Sequence, residues 1–113
     1  MASSAVSTSV RQQNSRAELR EAGAGRLALR GSLDFDSVAQ LRPQLRGYLQ
    51  PGASIIINLK RVGHCNSAGL ALLLQWVEDA RHQGSSIEFR QIPASLREIT
   101  DLYHLTTLLP IVD

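Results

Sequence analysis

Apolar residues along this chain fall into two periods, and the change between them sits in the middle of the sequence. Ile55, Ile56 and Ile57 are consecutive and β-branched. A run without alternation predicts a strand covered on both faces. From Ala68 the period becomes helical: Leu70, Leu73, Leu74 and Val77 fall at i, i+3, i+4 and i+7 and form one stripe. Gly84 follows and predicts the stop. Upstream, Arg26 to Leu33 alternates with Leu27 and Leu29 on one face, the pattern of a strand. The turn Gly23-Ala24-Gly25 joins it to an edge strand over Ala17 to Ala22, anchored by Leu19. Asp34-Phe35-Asp36-Ser37 offers caps for a helix in which Val38, Leu41, Leu45 and Leu49 are spaced helically. Pro43 interrupts that helix. Either its first turn is irregular and the helix proper begins near Arg42, or it bends.

Beyond Gly84, Ile87 to Ile92 alternates as a strand and Pro93 ends it. Ser95-Leu96-Arg97-Glu98 fits a capping box, with Leu96, Ile99, Leu102 and Tyr103 supplying the apolar face of a third helix. Leu105 to Val112 is apolar, and Pro110 argues against a long regular element there, so this tail is expected to pack on the core. The order is β-β-α-β-α-β-α. It predicts an α/β fold: a small mixed, largely parallel sheet flanked by helices.

Length and composition narrow the picture. The chain has 113 residues, enough for one domain. Residues 1–15 are rich in Ser, Ala and Gln without apolar period and are expected to be a disordered tail, leaving residues 16–113 for the domain. Net charge is +2 with a pI of about 9.2. The arginines are scattered among acids and aromatics are few, which argues against nucleic acid as a partner. One cysteine, Cys65, excludes an internal disulfide and a Cys-based zinc site. No stretch approaches the roughly 20 apolar residues of a membrane span, and no secretory apolar core opens the chain, so a cytoplasmic protein is expected.

The chemistry-bearing stretch is Gly63-His64-Cys65-Asn66-Ser67-Ala68-Gly69, between the central strand and the longest helix. Asn66 or Ser67 is the expected N-cap. Capping by itself accounts for a serine here. A second reading makes Ser67 a phosphorylation site, because free N–H groups and the helix dipole favour an anion. His64 and Cys65 beside Ser67 raise a nucleophile-and-base arrangement, but neighbours three apart in a loop do not generally converge and no third orienting group is evident. Acids form no convincing pair, and no glycine-rich phosphate loop occurs. Neither catalysis nor a cofactor or metal is expected. Opposite the leucine stripe lie Ala68, Ala71, Leu72, Gln75 and Asp79, a face poor in the Lys, Glu and Arg of a solvated helix. Trp76 borders it, either as a core side chain or as an interface anchor.

Asn66-Ser67-Ala68-Gly69-Leu70 resembles the Asp-Ser-Ser/Ala/Thr-Gly-Leu signature of the STAS domain, the anti-sigma-factor-antagonist fold. Gly31-Ser32-Leu33-Asp34 resembles the family's Gly-x-Leu-Asp, and Ile55 to Leu59 its central strand. Gly69 to Leu74, followed by Gln75-Trp76, looks most like the small cytoplasmic STAS subunits of Mla-type ABC phospholipid transporters. The resemblance implies a non-enzymatic subunit peripheral to the inner membrane. Its partner would be the transporter's ATPase, in complex with a membrane permease, met through Asn66, Ser67 and the outer face of the following helix. It also implies an alternative, an antagonist whose serine, here Ser67, is phosphorylated by a partner serine kinase. Asn66 departs from the family's usual Asp, and the lost charge favours a constitutive binding subunit.

Overall fold

A computed structural model describes residues 17–105 and 107–112; the expected N-terminal tail lies outside the described residues. The elements are β1 (Glu18–Glu21), β2 (Arg26–Leu33), α1 (Phe35–Leu41), a 3-10 segment (Arg42–Tyr48), β3 (Ser54–Cys65), α2 (Ser67–Gln83), β4 (Ser86–Arg90), α3 (Ala94–Leu102) and β5 (Ile111–Val112). They form one five-stranded sheet in the order β1-β2-β3-β4-β5. Only β1 is antiparallel to its neighbour. The α/β fold and the largely parallel sheet expected from the alternating periods are therefore found.

Strands β2 to β5 are laid down in sequence order, with no reversal. Right-handed crossovers that always step the same way deposit their helices on the same face of the sheet. The burial pattern follows. In β3, Ile55, Ile57 and Leu59 are buried while Ile56 and Asn58 between them are half-buried. In β4, Ile87 and Phe89 are buried and Glu88 and Arg90 are not. The expectation that the isoleucine run is covered on both faces is corrected: one face packs on the helices and the other stays open. The single core joins Leu29, Ile57 and Phe89 of the sheet to Leu41, Leu45, Leu73, Trp76 and Leu96.

Pro43 breaks the first helical segment in an order opposite to the one expected. The regular α-helix precedes it, and the 3-10 segment begins at Arg42 with the proline in its first turn. A ring that cannot accept the α-helical arrangement ends α1, while the tighter winding keeps Leu45 in the core. The capping box expected at Ser95 and Glu98 is absent. Helix α3 starts two residues earlier, at Ala94, with Pro93 as N-cap at φ −69° and no side-chain cap. Ser95 is thereby drawn inside the helix, where its Oγ is buried without a hydrogen-bond partner. Gly84 closes α2 as expected, in the left-handed conformation at φ 73°, which glycine adopts without a Cβ penalty. β4 ends at Arg90 rather than Ile92, and the apolar tail supplies the short β5.

Candidate functional site

The ends of β2 and β3 stand side by side, because Leu33 pairs with Cys65 in parallel register. Each strand is followed immediately by a helix, so two helix N-termini emerge together. The first is fully committed to the fold. Asp34 caps α1, its Oδ1 accepting from the N–H of Asp36 at 3.0 Å and of Ser37 at 3.1 Å. The buried Ser37 hydroxyl accepts from the Asp34 N–H at 3.0 Å and donates to the Ser32 carbonyl at 2.7 Å.

The second N-terminus settles the choice left open by the sequence. Asn66 is the cap of α2: its backbone is extended and its Oδ1 accepts from the Ala68 N–H at 2.8 Å. The Asn66 N–H in turn donates to the Leu33 carbonyl at 3.2 Å, tying this turn to the end of β2. Ser67 is the first helical residue, exposed, and its hydroxyl has no hydrogen-bond partner among the described residues. Capping therefore does not account for Ser67. Gly69 explains how the helix comes so close. A Cβ there would stand 2.5 Å from the Cys65 Sγ and 2.7 Å from the Leu33 Cβ.

Cys65 forms the floor of this turn. Its side chain is 2% exposed, and burial pushes the thiol up to about 11 from its usual 9.0. The Sγ–H donates to the Asn66 carbonyl, with Sγ 3.5 Å from the oxygen. A thiol held protonated under a helix is a packing group. His64 is exposed at the end of β3. No group of three or more His, Cys, Asp or Glu among the described residues could hold a metal ion.

The outer face of α2 differs from the expected one in three residues, since Ala68, Leu72 and Trp76 are all buried. Trp76 is 0% exposed, and its Nε1–H donates to the Arg42 carbonyl at 3.2 Å. It is a core side chain that fastens α2 to the 3-10 segment. Leu72, expected to be exposed, is 4% exposed. The cause is a rotation of the buried arc. Gly69, Leu73, Trp76 and Ala80 centre it, whereas Leu74 and Val77 of the expected stripe are only half-buried. At 3.6 residues per turn this is a shift of roughly 90°. α2 packs against both the sheet and the first helical segment, so more than one row of side chains is covered.

Ala68, Ala71, Leu72 and Gln75 nevertheless share a surface. They form one wall and part of the floor of a trough of about 690 Å³ between α2 and the first helical segment. Asp79 lies further along α2 and pairs with Arg42 at 3.3 Å, bridging the two walls. The opposite wall begins with Phe35, 72% exposed, a residue expected only to belong to a capping loop. Its signal was present: an aromatic at the first position of a helix has no preceding turn to shelter it. Asn66, Ser67, Ala68, Ala71, Leu72 and Gln75 are thus brought together, Asp79 is engaged internally, and Trp76 lies beneath.

A sequence profile described as "Mlab, STAS domain" matches residues 17–110. The chain belongs to the STAS domain family, whose members generally bind and regulate other proteins rather than catalyse reactions. Among solved structures, the unphosphorylated form of the anti-sigma factor antagonist SpoIIAA is similar at 20% identity and a TM-score of 0.64, over 86% of this chain and 88% of that one. An anti-sigma factor antagonist from Mycobacterium paratuberculosis is similar at 19% identity and a TM-score of 0.65, over 84% of each chain. At such identities the likeness establishes the fold.

Proposed function

We propose that this chain is a non-catalytic subunit of an ABC-type phospholipid transporter. It docks onto the transporter's ATPase through the Ser67 turn and the adjoining outer face of α2, supporting the ATPase's assembly or activity. The transporter would maintain lipid asymmetry of the outer membrane, and the subunit would remain in the cytoplasm, held at the inner membrane through the complex. The carrying observation is the Ser67 turn: a cap that uses the uncharged Asn66, a serine with a free hydroxyl beside it, and an apolar trough opening next to both. Such a turn presents hydrogen-bonding groups and apolar surface without a catalytic partner. No helix among the described residues is long and apolar enough to cross a membrane, so contact with the bilayer would be made by the partner.

One observation favours a second reading. Ser67 is exposed, at the first position of a helix and not spent on capping, which suits a site phosphorylated by a partner serine kinase. The chain would then be an anti-sigma-factor antagonist, and the added charge would switch off binding. Affinity capture of the tagged protein from detergent-solubilised cells, read by mass spectrometry, separates the two. Recovery of an ABC ATPase with its permease is expected. Recovery of a soluble serine kinase with phosphate on Ser67 replaces the first reading by the second, and recovery of neither removes both.

A further inference from the structure

The trough beside the Ser67 turn has a shape and a charge pattern that specify an occupant. Both walls are helical, and their backbone groups bond within their own segments. They offer no open edge to an added strand. Val38 and Leu72 contribute apolar surface, and Ala39, Ala68 and Ala71 are small. Small residues on parallel walls let a third helix approach to the usual interaxial distance of roughly 8–10 Å. The two ends are chemically unlike. Phe35 stands at the end next to Ser67, while Arg42 and Arg46 line the other. Arg42 is engaged by Asp79 at 3.3 Å. Arg46 is exposed and forms no ion pair among the described residues.

We propose that the trough receives one amphipathic helix of the protein partner. Aliphatic residues at i, i+3 or i+4, and i+7 face the apolar surface, and a carboxylate at one end of that helix meets Arg46. The inference rests on the reading of the chain as a binding subunit and holds for either class of partner. Phe35 supplies the exposed aromatic anchor and Arg46 the charge that sets orientation.

The test uses the full chain and a short helix-forming peptide with Leu at i, i+3, i+4 and i+7 and Glu on its flanks, beside the same peptide with Lys for Glu. Amide chemical shifts are followed during titration. The Glu peptide is expected to perturb Ala39, Ala71 and Arg46 and to bind about tenfold more tightly than the Lys peptide, with Arg46→Glu reversing the preference. No binding of the Glu peptide, equal binding of the two, or shifts confined to other surfaces overturns the proposal. With the captured partner in hand, Ala71→Arg is expected to weaken association at least about tenfold, while Lys60→Glu on the exposed part of β3 leaves it unchanged. If Ala71→Arg binds normally, the trough is wrong and the partner's identity stands. If the wild-type chain captures neither class of partner, the functional reading fails and the peptide titration still decides the trough.

Discussion

Two helix N-termini stand next to each other in this molecule and use their serines in opposite ways. At the start of α1, Ser37 is buried and bonded to both Asp34 and Ser32. At the start of α2, Ser67 is exposed and bonded to nothing described. The capping duty is the same at both and is carried by the residue at the end of the strand, Asp34 or Asn66. What differs is the position of the serine. Three residues after the cap, Ser37 completes a reciprocal pair that satisfies the cap's own N–H. One residue after the cap, Ser67 bonds no backbone group among the described residues. A serine that a fold consumes reads as structure; a serine that the fold leaves over, on a rigid helix end beside an apolar trough, is available to a partner.

The comparison depends on the two termini being held together, and Gly69 is what allows it. Gly69→Ala should be the most damaging change, because the added methyl meets the buried Cys65 and Leu33 side chains at 2.5 and 2.7 Å. A loss of about 2–3 kcal/mol is expected in chemical denaturation, together with loss of partner binding. A drop below about 0.5 kcal/mol would mean that the helix end can retreat without cost, and that the close approach is incidental.

The serines themselves come next. Ser37→Ala should lower stability by about 1–3 kcal/mol, since it leaves buried partners unmatched. Ser67→Ala should stay within about 0.5 kcal/mol of wild type, while Ser67→Asp weakens partner binding. Equal losses for the two alanine variants would erase the distinction between a consumed and a spare hydroxyl.

The smallest effect concerns the floor beneath the two termini. The Cys65 thiol is raised to about 11 by burial, so it should resist alkylation in the native state at pH 8 and react readily in denaturant. Linkage gives the sign for stability. The unfolded thiol ionises near 9.0 and the folded one near 11, so the folded state holds the extra proton between those values. Stability from this group is intact below pH 9 and declines as pH rises towards 11. Cys65→Ala should remove that slope in a pH series of denaturation curves. Rapid labelling of the native protein at pH 8 would show that the floor is open.

Much of the framework was legible because its signals are short-range. The alternation of Arg26 to Leu33 defines β2 to the residue, Gly84 ends α2 in the left-handed conformation, and Pro43 breaks the first helical segment. The Asn-Ser-Ala-Gly-Leu stretch located the candidate site. Its internal assignment was not legible: either Asn66 or Ser67 can cap, and the deciding contact is the 2.8 Å bond from the Ala68 N–H. The Ser95 motif misled for a related reason. A capping box is recognised by spacing, but whether the helix begins at the serine depends on where Pro93 enters after β4.

By itself, then, the chain's own order of residues determined β1 to β4 and the three helical regions in their order, and that one serine-bearing turn stands at the head of the longest helix. These follow from backbone sterics, periodicity and local hydrogen bonding, which act within a few residues. Only the tertiary structure decided which face of α2 is buried. With leucines at four of the five positions from Leu70 to Leu74, local periodicity does not distinguish one row from the next. The fit of Gly69 against Leu33 and Cys65, and the bond from Trp76 to the Arg42 carbonyl, turn the helix to its place. That turn removes Trp76 from the surface and sets α2 against the first helical segment. The trough between them exists only because two segments distant in sequence are packed side by side.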